Sequence, residues 1–222
     1  MGVNPLLARV ASYYHDIGKI KNSDYFIENR IGPSGEYKKL VPRLSSQIII
    51  SHVREGVEFA REHRLTPRII NIIAQHHGTG LISQFYRKAL KIGEGGVEEE
   101  DYRYSGPRPR SKEAAIVMLA DSVEAASRAL TRPSPEEIEN LVKEIINEKF
   151  TDSQLDECPL TLSDLKRIVE VFTYTLTGIA HRRIDYPLTK RIKKRYGDTN
   201  KEPSKKKRFQ ALFGKEGGPK SA

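Results

Sequence analysis

The sequence is sparing in the features that mark several protein classes. It holds a single cysteine, Cys158, among 222 residues. No internal disulfide framework can form, and a reducing, cytoplasmic setting is the simple reading. No apolar run approaches the roughly 20 residues that a membrane span needs. No positively charged stretch followed by an apolar run opens the chain, so a signal peptide is not expected and the chain as given reads as soluble. Strand signals are scarce, which leaves a sheet-dominated fold without support. Acidic charge is scarce in one place. From Lys190 to Ala222 there are 12 Lys or Arg against three Asp or Glu, whereas the remainder carries 26 of each. The net charge of +9 therefore belongs to a tail, and a neutral main domain argues against a nucleic-acid partner.

Helical periodicity is plentiful. Asn4-Pro5 has the form of an N-cap followed by proline at the first helical position. That helix is expected to turn Leu6, Val10 and Tyr13 or Tyr14 inward, to end near His15 and Asp16, and to be broken by Gly18. Tyr25 to Pro42 reads as a loop. A second helix places Leu44, Ile48, His52 and Ala60 at helical spacing. Thr66-Pro67 opens a third, which runs through Ile69, Ile70 and Ile73 to His76-His77 and stops at Gly78. Leu81 to Lys91 reads as a short helix, and 93–110 as a loop rich in Gly, Pro, acid and Tyr. Ser111 starts the helix that holds Asp121. Ser134-Pro135-Glu136-Glu137 has capping-box spacing, and Thr161 with Asp164 opens a last long helix to about Arg183. The expectation is an all-α bundle over 1–187 and a basic, disordered tail over 188–222.

His15-Asp16, His52, His76-His77 and Asp121 fall at helix ends or on helices that can converge. Imidazole and carboxylate together suit Fe, Mn, Zn or a related divalent ion. An Asp offers two oxygens and can bridge two ions. Ions roughly 3.5–4 Å apart are a recurrent device for hydrolysing phosphate esters. Neighbouring side chains on a helix point about 100° apart, so His76 and His77 need a frayed helix end to converge, and Gly78 supplies one. Lys19 is either a cation for a substrate phosphate or a solvated lysine. Thr79 is placed to hydrogen-bond a phosphate or to cap a helix. In the loop from Asp101 to Pro107, Tyr102 and Tyr104 can stack on a base and Arg103 can grip a phosphate, or the loop packs on itself. His63 and His181 lie outside this pattern.

Several segments together carry a specific resemblance. They are His15-Asp16-Ile17-Gly18-Lys19, Asp24-Tyr25-Phe26-Ile27-Glu28-Asn29, Gln75-His76-His77-Gly78-Thr79, Glu100-Asp101-Tyr102-Arg103-Tyr104, Gly106-Pro107, Lys112-Glu113 and Val117 to Ala125. From about Asn4 to Pro187 the chain resembles the cytoplasmic HD domain of the seven-transmembrane HD proteins, which are cyclic di-AMP phosphodiesterases. The resemblance is closer than that to HD-GYP domains, whose Gly-Tyr-Pro signature is absent. It implies an HD-type helical bundle with two divalent ions, iron or manganese, that hydrolyses cyclic di-AMP to the linear dinucleotide. It implies that Asp16 bridges the ions, that His15 and Asp121 hold one, and that His52, His76 and His77 hold the other. Asp16 and Lys19 would be catalytic, and Lys19, Thr79, Tyr102, Arg103 and Tyr104 would meet the substrate. It implies a membrane-anchored parent protein; the basic tail is then either a contact with that membrane's anionic lipid or a solvated segment that aids solubility.

The family pattern has a further histidine about thirty residues before the His-Asp pair. Only 14 residues precede His15 and none is histidine. The expectation is therefore a chain that starts late and under-coordinates one ion. Another HD nucleotide hydrolase and a non-catalytic metal- or nucleotide-binding module stand as alternatives.

Overall fold

The computed structural model describes residues 2–26, 41–93 and 95–182. The loop expected over Tyr25 to Pro42 falls mostly outside these residues, as do the domain boundary at 187 and the tail. The chain divides into a unit of residues 1–180 and a second of 181–222, of which only the end of one helix is described.

The described residues build seven α-helices, with one isolated bridge between Leu81 and Arg103. Helix α1 (Pro5–Tyr14) starts as its sequence dictates, with Pro5 at the first turn and the Asn4 side chain accepting from the Leu7 N–H. Val10 and Tyr14 turn inward as expected, but Leu7 takes the inward place expected of Leu6. Leu7, Val10, Ala11 and Tyr14 pack into the core, whereas Leu6 and Tyr13 are 69% and 67% exposed. The spacing i, i+3, i+4, i+7 was legible, but two adjacent faces were equally apolar, and the positions of α3 and α5 chose between them.

Helix α2 (Pro42–Glu62) buries Ser46, His52, Gly56 and Ala60, and leaves Leu44 exposed instead of inward. Helix α3 (Pro67–Gln75) buries Ile69, Ile72 and Ile73. Helix α4 (Ser83–Ile92) ends at Gly93, whose φ of 68° suits a residue without a side chain. Helix α5 (Lys112–Ser127), capped by Ser111, buries Ala114, Ala115, Val117, Met118, Leu119 and Val123. These residues surround the helix, as expected of a central element packed against α1, α3 and α6. Helix α6 (Pro135–Thr151) opens with the reciprocal Ser134–Glu137 capping box. It builds a core with α5 and α7 (Leu162–Arg182), in which Leu119 and Val123 meet Ile138, Val142, Ile146 and Ile168. No helix among the described residues is long and apolar enough to cross a membrane.

Candidate metal centre

Two helix ends and two helix middles bring the chemistry together. His15 caps the end of α1, and Asp16 leads into a 3-10 turn over Ile17–Ile20. That turn lies against α2 because Gly18 has no side chain. A Cβ there would collide with the His52 carbonyl and the Gly56 backbone, and one at Gly56 would meet Gly18 N at 3.3 Å. The two glycines let Asp16 approach His52. His76 caps the end of α3 and is wholly buried, with His77 beside it. Asp121 comes from the middle of α5.

The imidazoles are oriented by their own helices. His15 Nδ1 bonds the Ser12 carbonyl at 2.9 Å, His76 Nδ1 bonds that of Ile73 at 2.7 Å, and His52 Nδ1 bonds that of Ile49. A carbonyl only accepts, so each Nδ1 carries a proton and each Nε2 is the ring nitrogen turned toward the neighbouring side chains. Backbone partners of this kind fix the rings of metal-binding histidines. His52 Nε2 and His76 Nε2 face each other at 3.3 Å and lie 3.4 and 3.7 Å from Asp16 Oδ1. On the other side, Asp16 Oδ2 is 3.1 Å from His15 Nε2, which is 3.6 Å from Asp121 Oδ1. His77 Nδ1 is 3.8 Å from Asp121 Oδ2.

Two donor groups result, Asp16-His52-His76-His77 and His15-Asp16-Asp121, with the donor atoms of each lying within 4.8 Å of one another. Asp16 belongs to both. His15 Nε2 and Asp16 Oδ1 are buried without a hydrogen-bond partner, which is costly unless a cation takes them up. The set fits divalent ions in the number, type and aim of its donors.

Electrostatics divide the same way. Burial, then the neighbouring His76, lowers the pKa of His52 to about 4. Burial, with His76 and His52 beside it, holds His77 well below the ordinary value. Both are therefore neutral, the form that ligates. For His15, burial opposes the charge, but Asp121 and Asp16 outweigh it and push the pKa up to about 10. Burial also disfavours the Asp16 and Asp121 carboxylates, yet His15 holds both ionised. The His15 side thus demands positive charge, while the His52 side offers lone pairs.

The remaining expected contacts separate. Lys19 reaches the centre, with its Nζ 2.7 Å from Asp16 Oδ2 and 5.2 Å from the Phe26 ring centre. Tyr104 also reaches it, stacked on His77 with ring centres 4.2 Å apart. Burial, then Asp121 and Asp16, pushes its hydroxyl pKa up, so it stays a proton donor. Thr79 follows the histidine pair, but its hydroxyl bonds Gln154. Tyr102 and Arg103 do not join these residues. Tyr102 closes the 3-10 turn Glu99–Tyr102, is 1% exposed and packs near Tyr86. Arg103 engages Asp152, Glu99 and the Thr79 carbonyl. Of the outlying histidines, His63 stacks on Phe59, and the His181 side chain lies outside the described ones. Gln154 and Asp152 were missed in the sequence; nothing local marks them, since their partners lie 49–75 residues away.

Residues 1–126 match the HD domain family. The chain belongs to the HD domain family. This HD protein is 48% identical over 194 residues to the cyclic-di-AMP phosphodiesterase PgpH of Bacillus subtilis (strain 168), a match covering 87% of this chain and 27% of the relative. It is 44% identical over 187 residues to PgpH of Listeria monocytogenes, 26% of whose length is covered. The chain therefore spans about a quarter of the length of these curated relatives. A solved structure of the L. monocytogenes PgpH HD domain in complex with cyclic-di-AMP is similar to it at 44% identity and a TM-score of 0.77, covering 80% of this chain and 83% of that one. Ribonuclease Y of Malacoplasma penetrans is a more distant relative, 25% identical over 172 residues.

Proposed function

We propose that this HD domain is the catalytic part of a cyclic di-AMP phosphodiesterase. It would hydrolyse the cyclic dinucleotide to the linear one with two divalent ions, iron or manganese. The observation that carries this reading is Asp16, one carboxylate shared by two donor groups. The identity to PgpH supports the substrate. On this reading His15 and Asp121 would hold one ion, His52, His76 and His77 would hold the other, and Asp16 would serve both groups. Such a pair supplies, when bound, an acidified water and neutralisation of phosphoryl charge.

The protein's own groups complete the site. Lys19 sets a cation beside Asp16, where a phosphate oxygen would be met. Tyr104 forms a flat wall on His77 and keeps its hydroxyl protonated to donate a hydrogen bond. Thr79 reaches substrate only by turning its hydroxyl away from Gln154. The same reading puts the domain on the cytoplasmic side of a membrane-anchored parent.

The test is hydrolysis of cyclic di-AMP and cyclic di-GMP by the manganese- or iron-loaded chain, beside a version extended upstream. Faster loss of cyclic di-AMP, with the linear dinucleotide as product, is the expected result. Equal rates would overturn the substrate assignment. Metal binding without hydrolysis by either version would favour a metal- or nucleotide-binding module. A specific observation favours unequal ion affinities whatever the substrate: one group has four protein donors and the other three.

A further inference from the structure

Beside the centre runs a buried polar network that no donor role uses. The connection between α6 and α7 turns back toward the end of α3. There Gln154 is fully buried. Its Oε1 accepts from the Thr79 N–H at 2.8 Å, and its Nε2 donates to Thr79 Oγ1 at 2.9 Å and to Asp152 Oδ2 at 3.0 Å. Asp152 receives both ends of the Arg103 guanidinium, at 3.2 and 2.9 Å. Arg103 in turn donates to the Thr79 carbonyl at 2.8 Å. Side chains from two distant segments thus take the N–H and the C=O of Thr79, the residue that follows His76-His77-Gly78.

Gly78 records how tightly Gln154 presses on this turn. Its φ is 54°, and a Cβ there would collide with Gln154 Oε1 and lie 2.9 Å from Met118 Cε. The same clamp reaches Tyr104, whose N–H donates to the Gly80 carbonyl at 3.0 Å and whose ring lies on His77. A regular helix would hold adjacent histidines about 100° apart. Their convergence needs the helix to stop, and a chain end that no longer repeats must be fixed from outside.

We propose that Gln154 and Asp152 are positioning residues of the metal centre, which with Arg103 lock the turn at Gly78 and Thr79 and thereby aim His76 and His77. The inference rests on reading those histidines as metal ligands. Outer partners that orient ligands typically contribute about 10–100-fold to metal affinity.

The test is Co2+ titration of the full chain, followed by the visible absorption of the bound ion. Wild type is compared with Gln154→Ala, Asp152→Asn, Asp152→Ala and Thr79→Val, and each metal-free protein is checked by circular dichroism. The expected result is unchanged helix content, with Co2+ affinity about tenfold or more weaker in Gln154→Ala and an altered spectrum. Asp152→Asn, which keeps an acceptor for Arg103, should lose less than Asp152→Ala. If Gln154→Ala does not fold, Thr79→Val gives the answer, since it deletes one hydroxyl at nearly constant volume. Variants that unfold more easily yet bind Co2+ with wild-type affinity and spectrum would overturn the inference while leaving the ligand reading intact. A wild type that takes up no Co2+ would remove the ligand reading and the inference together.

Discussion

At the scale of single residues, the centre turns on Asp16. Its Oδ1 faces His52 and His76, and its Oδ2 faces His15. No other donor is shared between the two groups. Asp16→Ala should therefore lose both ions, whereas His15→Ala should lose chiefly the one on the three-donor side. Metal content of the purified variants measures this, and equal content in the two would refute a bridging carboxylate. Gly18 matters for the opposite reason, having nothing where a side chain would be. Its contact with the α2 backbone brings Asp16 to His52, and no polar substitution pattern could have announced it.

At the scale of elements, α5 couples the centre to the rest of the fold, since it carries Asp121 in its middle and is packed nearly all round. Its start is tied to the start of α7. Lys112 Nζ donates to Asp164 Oδ2 at 2.7 Å, and the Thr161 N–H donates to the same oxygen at 3.1 Å. The Lys112 bond, followed by the Thr161 N–H, lowers the Asp164 pKa from 3.8 to about 2. A carboxylate with a depressed folded-state pKa stabilises above its unfolded value and loses that contribution as pH falls through the folded one. Asp164→Asn should therefore be less stable than wild type at neutral pH. The gap should shrink between about pH 4 and about pH 2, as followed by urea unfolding across that range. A gap that stayed constant with pH would show that the carboxylate charge is not what ties α5 to α7.

At the scale of the whole molecule, function and charge occupy different parts of the chain. Among the described residues, the groups able to hold a metal lie between His15 and Asp121, whereas the excess of basic residues in the sequence lies between Lys190 and Ala222. Deleting 190–222 should leave metal content unchanged. The same deletion should weaken sedimentation with anionic vesicles at low salt, because each Lys or Arg near such a surface contributes about 1 kcal/mol. Equal partitioning of the full and shortened chains would show that the tail makes no membrane contact.

Where a helix carries a side-chain cap, its start was legible in the order of the amino acids, because caps are local. Asn4-Pro5, Ser111, Ser134 with Glu137, and Gly78 each act within a few residues of themselves. The sequence by itself also singled out the six His and Asp residues that the fold brings together into two groups able to hold a metal ion. Tertiary structure alone decided which side of α1 is buried, because Leu6 and Leu7 are equally apolar and only α3 and α5 distinguish them. It alone sent Tyr102 inward, and it alone turned Arg103 from a candidate phosphate ligand into a clamp on Asp152. The Arg103 outcome depends on Asp152, 49 residues away, and a hydrogen bond across such a distance leaves no local trace in the order of the amino acids.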